Sequence, residues 1–171
     1  MQPTDYETLI ESLRSGDQNR VRDAAHALGD LGDLRAVEPL IALLKTTSEP
    51  IVWNAAAVGL RELRDDRAIQ PILDLIRSAK SEGARGTLVW ALEAFDCAPY
   101  IELLVDLVVN DNYEVARNAA SAIVSSDGEV DPAVWRRCMD TLRRAIPEAS
   151  EERVEVLQKL LARFEEASNP D

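Results

Sequence analysis

The sequence predicts an all-α solenoid, a stack of about four antiparallel helical hairpins closed at each end by a helical cap, and three observations carry that reading. The first is a repeat at a fixed shift of 32 residues. Segments 20 to 44, 52 to 76 and 84 to 108 superimpose Leu28, Leu60 and Leu92, then Leu31, Leu63 and Phe95, then Leu40, Ile72 and Leu104. Leu43, Leu75 and Leu107 follow, and Leu44, Ile76 and Val108 complete the set. The second is that apolar residues within each copy recur at the three-and-four spacing of an α-helix. The third is punctuation: Gly, Asp and Pro fall between the periodic stretches, where helices stop and start. A period of this length marks supersecondary units that cannot bury an apolar face alone.

The elements follow in order. Residues 1–19 form an N-terminal cap around a helix from Tyr6 to Leu13, with Tyr6, Leu9, Ile10 and Leu13 inward. The first repeat, 20–48, opens with a helix A whose Val21, Ala24, Ala25 and Leu28 share a face, the two alanines letting a second helix approach closely. Gly29 and Gly32, with Asp30 and Asp33, are expected to break that helix, and Asp33 to accept backbone N–H groups at the next start. In helix B, Ala36, Val37, Leu40, Ile41 and Leu44 face the core while Arg35, Glu38, Ala42 and Lys45 face water. Pro39, and Pro71 in the second repeat (52–80), require that the B helices begin late, near Arg35 and Arg67. The third repeat, 84–111, has Leu103 at that place and its proline earlier, at Pro99 after Asp96.

The fourth repeat, 114–147, keeps the helix A pattern in Val115 to Val124, with Ala119 and Ala120 as its small pair, and then has a longer turn, Ser125 to Asp131. Asp131 caps and Pro132 opens a helix to Ala145 carrying Trp135, Met139, Leu142 and Ile146, which Pro147 stops. A C-terminal cap helix, 150–167, starts at Ser150, buries Val154, Leu157, Leu160, Leu161 and Phe164, and sets Glu151 and Glu152 at its N-terminal dipole. Capping is required because an end repeat would otherwise expose its apolar face.

Composition fits one domain over residues 1–171. At 171 residues and 46% hydrophobic, the chain can build one core without disulfides or a metal. Its 29% charged and 5% aromatic content suits helices with solvated faces. No run of about eighteen apolar residues and no secretory leader pattern is present, so a cytoplasmic location is expected. Cys97 and Cys138 lie far apart in no spaced motif, and reduced thiols are the expectation.

The string VRDAAHALGDLGDLRAVEPLIALLK, Val21 to Lys45, resembles a bacterial HEAT repeat of the short, roughly thirty-residue kind first recognised in phycobilin lyases. The likeness extends over residues 20 to about 124. It implies a right-handed superhelix with A helices on the convex side and B helices lining the concave side. It also implies one possible role, as an accessory or scaffold subunit of the phycobilin-lyase type.

Function must come from residues the packing does not require. The shift of 32 aligns Glu38, Gln70 and Glu102 in one solvent-facing row of the B helices, Ala42, Asp74 and Asp106 in the next, and Lys45, Arg77 and Val109 in a third. The B-helix face is therefore expected to be acidic. These rows are either ordinary solvated faces or a strip that binds a partner, the use solenoids make of this surface. Trp90 stands where helix A of the first copy has the polar His26. Either the capping segment folds over it or it is an exposed anchor for a partner.

The net charge of -12, from 31 acidic and 19 basic residues, repels phosphate backbones and anionic lipid and attracts a basic protein. Nucleic acid and membrane are not expected partners; HEAT-like DNA glycosylases need a cationic groove and aromatic platforms that this chain lacks. His26 is the only histidine. The His-Glu pairs that carry iron in HEAT-repeat deoxyhypusine hydroxylases are absent, and Gly83 and Gly86 suit a turn and close packing rather than a phosphate loop. No cofactor, metal or catalysis is expected. The segment Gly86 to Val115 also resembles small bacterial HEAT proteins found beside polymorphic toxins. That likeness implies an immunity protein of a toxin-antitoxin kind, monomeric alone and neutralising a basic toxin or effector domain; a general adaptor is the alternative.

Overall fold

A computed structural model describes residues 5–168, and all regular structure among them is helical. The chain divides into two compact units, Met1–Phe95 and Asp96–Asp171, a boundary that falls within the third copy of the repeat. The hairpin architecture is that of an α-solenoid.

The first unit contains α1 (Tyr6–Leu13), α2 (Gln18–Leu31), α3 (Val37–Thr46), α4 (Pro50–Leu63), α5 (Ile69–Arg77) and α6 (Gly86–Ala91). Helices α2, α4 and α6 pack in one layer as the A helices, while α3 and α5 pack as the B helices beneath them. Helix α1 holds a B-type position: the repeat shift places Tyr6 on Glu38, Leu9 on Ile41 and Ser12 on Leu44, and Leu9, Ile41, Ser12 and Leu44 are all buried. The N-terminal cap is thus half of a preceding hairpin.

Local chemistry sets the boundaries. Asp17 accepts from the backbone N–H groups of Asn19 and Arg20 at 2.9 and 3.2 Å to start α2, and Gly32, at φ 70°, ends it in the left-handed conformation that glycine adopts without strain. The same device opens two hairpin returns: the carboxylates of Asp33 and Asp65 accept from the backbone N–H of Arg35 and Arg67, each beginning a short 3-10 turn that leads into α3 or α5. Pro39 and Pro71 then fall in the first α-turn, where no intrahelical donor is lost.

Gly29 corrects one expectation. It does not break α2 but lies buried within it, because α4 crosses there at Gly59: a Cβ on Gly29 would stand 2.7 Å from the Gly59 Cα. Leu31 is a second departure, 42% exposed where Leu63 and Phe95 are buried. Helix α4 lies between α2 and α6, whereas α2 has an A-type neighbour on one side alone. The third A helix is also short, α6 giving way to a 3-10 turn at Leu92–Ala94.

The second unit contains α7 (Ile101–Asn110), α8 (Tyr113–Val124), α9 (Pro132–Ala145) and α10 (Glu151–Ser168). Helix α7 packs on α8 and α9, and α10 packs on α9 and α8. Asp96 ties its beginning to the longer turn by accepting from the N–H groups of Ala98 at 3.0 Å and Gly128 at 3.2 Å. Asp131 caps α9 through Ala133 N–H, Cys138, Met139 and Leu142 point inward, and Trp135 stands edge-on to Phe164 with ring centroids 4.2 Å apart. Arg153, in the first turn of α10, donates to the carbonyls of Val108, Val109 and Asp111, satisfying the C-terminal end of α7.

Candidate functional site

Helices α3 and α5 display the rows expected of them: Glu38, Gln70, Ala42, Asp74, Lys45 and Arg77 are all exposed. Their acids are not equivalent. Arg67 forks onto Asp65, with its Nε 2.8 Å from Oδ1, and its Nη1 reaches back 3.0 Å to Glu38 Oε1 on the preceding B helix. Arg35 makes the same reach one copy earlier and meets Tyr6, the guanidinium lying 4.1 Å from the ring centroid while the phenol O–H donates to the Arg35 carbonyl at 3.1 Å. Glu38 thus joins consecutive B helices. Asp74 instead accepts a 2.6 Å hydrogen bond from the Gln70 side-chain amide, four residues back on its own helix, and pairs with no cation among the described residues.

The second unit repeats this division. Glu102 accepts from Arg137 Nε at 2.7 Å, and this pairing holds the Glu102 carboxyl below the usual glutamate range. Asp106 accepts from the Asn110 amide at 2.7 Å, again within its own helix, with no cation on it among the described residues. Each unit therefore offers one exposed aspartate, Asp74 or Asp106, oriented by a neutral amide and carrying an unneutralised charge.

Reading by register missed the arginines of α9. Arg136, Arg137, Arg143 and Arg144 are all exposed, and with Glu102, Asp140 and Thr141 the last three line a polar hollow of about 640 Å³. The arginine that reaches Glu102 is Arg137, 35 residues on, whereas a constant shift of 32 places Val134 at that row. The signal was visible in the string RRCMDTLRRA. A constant period passed over it.

Trp90 is half-buried on α6. Its ring is covered on one face by Arg61 of α4, 3.9 Å from the centroid, and the same guanidinium donates to the Trp90 carbonyl at 3.2 Å and lies 3.7 Å from Glu93. A cation on the neighbouring A helix thus covers one face of the ring, a contact that the repeat pattern does not encode. His26 is exposed. Both cysteines are buried, and burial pushes the thiols up to about 12 for Cys97 and about 11 for Cys138. Among the described residues, no group of three His, Cys, Asp or Glu side chains could hold a metal ion, and no helix is long and apolar enough to cross a membrane.

Among solved structures, the crystal structure of an engineered protein matches with a TM-score of 0.58 at 20% identity, covering 92% of this chain and 78% of that one, a likeness of fold. The comparison with curated proteins gave no match. The model of the family described as HEAT repeats matches residues 6–93, just over half of the chain, starting at Tyr6 and so taking in α1, the half hairpin. The chain belongs to the HEAT-repeat family.

Proposed function

We propose that this chain is a non-catalytic protein-binding module whose partner presents a basic surface to the exposed aspartates of the B helices, Asp74 in the first unit and Asp106 in the second. One observation carries the reading. At equivalent positions of successive copies the carboxylate is exposed, held by an amide and, among the described residues, free of any cation, while the neighbouring Glu38 and Glu102 are engaged by arginines. Gln70 orients its aspartate rather than contacting the partner directly. A carboxylate fixed in this way loses little side-chain entropy on meeting a lysine or arginine. The net charge of -12 adds long-range steering, able to raise association rates by about ten- to a thousandfold toward a cationic protein.

The sharpest form of such a partner is a cationic toxin domain that the chain neutralises by occupying its basic surface. The test is co-expression with the product of each adjacent gene, followed by co-purification at low salt and at about 0.5 M salt, where the screening length is about 4 Å. One basic protein should be retained at low salt, released at high salt, and lost from an Asp74→Lys, Asp106→Lys double variant. Retention of that protein by the double variant would sink the proposal. Retention of a basic protein that is no toxin would leave a general adaptor.

A further inference from the structure

The second unit carries another surface, on helices that the B-helix rows do not use. In the first unit the A helices α2 and α4 meet at Gly29 and Gly59 with no room for a β-carbon. Helices α8 and α10 contain no glycine, so no crossing of that kind joins them. Between them runs a groove of about 460 Å³ lined by Tyr113, Ala120 and Val124 from one helix and by Val156 and Leu160 from the other. Tyr113 and Val124, 40% and 54% exposed, are among the large apolar side chains most open to solvent in the described residues.

The charges at this groove are unequal. Lys159 is tied to Glu155, 2.6 Å away on the same helix. Arg117, which lines the opposite wall, has no carboxylate partner among the described residues. The groove therefore offers an apolar floor and one unspent cation, in a unit where acidic residues outnumber basic ones. Such a field repels a long polyanion but not a short segment whose single carboxylate meets the arginine directly. From Tyr113 to Val124 the floor is three helical turns long, about 16 Å, which matches an amphipathic helix presenting an apolar stripe at three-and-four spacing.

We propose that the groove between α8 and α10 docks an amphipathic helix of a partner protein, about three turns long, with its apolar stripe on Tyr113, Val124 and Val156 and a carboxylate on Arg117. Helix-in-groove recognition of this kind rests on burial of the stripe for affinity and on the charge for register.

The experiment uses the full chain and two fluorescein-labelled peptides of about fourteen residues, with the same leucine stripe and either Glu or Lys at the central polar position. Anisotropy titration should show the Glu peptide binding at least about fivefold more tightly than the Lys peptide, with Arg117→Glu reversing the order. Val124→Asp, at a site open to solvent, should weaken both by about tenfold without lowering the melting temperature. Asp74→Lys should change neither, which separates this surface from the one proposed above. Equal affinity for the two peptides, or none for either, would overturn the proposal. So would sedimentation showing a dimer of the chain that Val124→Asp dissolves, since the occupant would then be a second copy.

Discussion

Gly29 of α2 and Gly59 of α4 are in backbone contact: a β-carbon on Gly29 would lie 2.7 Å from the Gly59 Cα, and one on Gly59 would lie 2.6 Å from the Ala25 carbonyl oxygen. No rotamer change relieves either clash, because the obstructing atoms are backbone. The first two hairpins are stacked at this distance because neither helix has a side chain at the crossing. Ala24, Ala25, Ala55 and Ala56, all buried, extend the same close surface.

Gly29→Ala is therefore expected to destabilise the first unit by about 1–3 kcal/mol, although alanine is the better helix former by about 1 kcal/mol. Urea unfolding followed by tryptophan fluorescence in a Trp135→Phe background, where Trp53 and Trp90 of that unit are the emitters, checks it. An unchanged midpoint would mean that the helices part without loss.

Arg153 makes a prediction for the second unit. Its guanidinium donates to three carbonyls at the end of α7, so Arg153→Met, which keeps much of the aliphatic stem, removes a charge-assisted cap. A loss of about 1.5–3 kcal/mol is expected, read from faster amide exchange in the last turn of α7. Arg163→Met, an exposed arginine on the same helix with no ion pair among the described residues, serves as the control and should change little.

Acid should act on the hairpin returns. Hydrogen bonds from the side chains of Arg35 and Arg67 are the leading cause that lowers the Asp33 and Asp65 carboxyls from their ordinary value. A carboxylate whose folded value is depressed contributes stability that is present above its unfolded value, near 4, and lost as pH falls through the folded one. The Asp33→Asn, Asp65→Asn variant, which keeps capping side chains but not their charge, should melt lower than the parent chain from pH 7 to about pH 5. The gap should begin to narrow below about pH 4 and close as pH falls through the lowered folded-state values. A gap that stays constant from about pH 5 into full acid would assign the effect to geometry rather than charge.

How much of the candidate site could be read in advance follows from what each residue answers to. Asp74 and Asp106 were legible because their exposure depends on helical phase alone, and so were Glu38 and Glu102 as surface residues. Their engagement by Arg67 and Arg137 was not, since each arginine arrives from the next hairpin. Trp90 stood out by breaking the pattern of its row, yet what covers it is Arg61, twenty-nine residues earlier on α4.

By itself the sequence determined the helices, their caps and the residues of the core, because these obey local rules: apolar spacing along one helix, an aspartate two residues before the N–H it accepts, a proline confined to a first turn. Pro132–Ala145 and Tyr6–Leu13 agree with that reading residue for residue. The tertiary structure decided the rest: that Gly29 is a crossing and not a break, that α1 takes a B-type position, that Arg137 of α9 reaches Glu102, and that Arg117 lines a groove between α8 and α10. Each of these depends on how closely two helices approach, and that distance is set jointly by side chains on separate helices, so no single helical period encodes it.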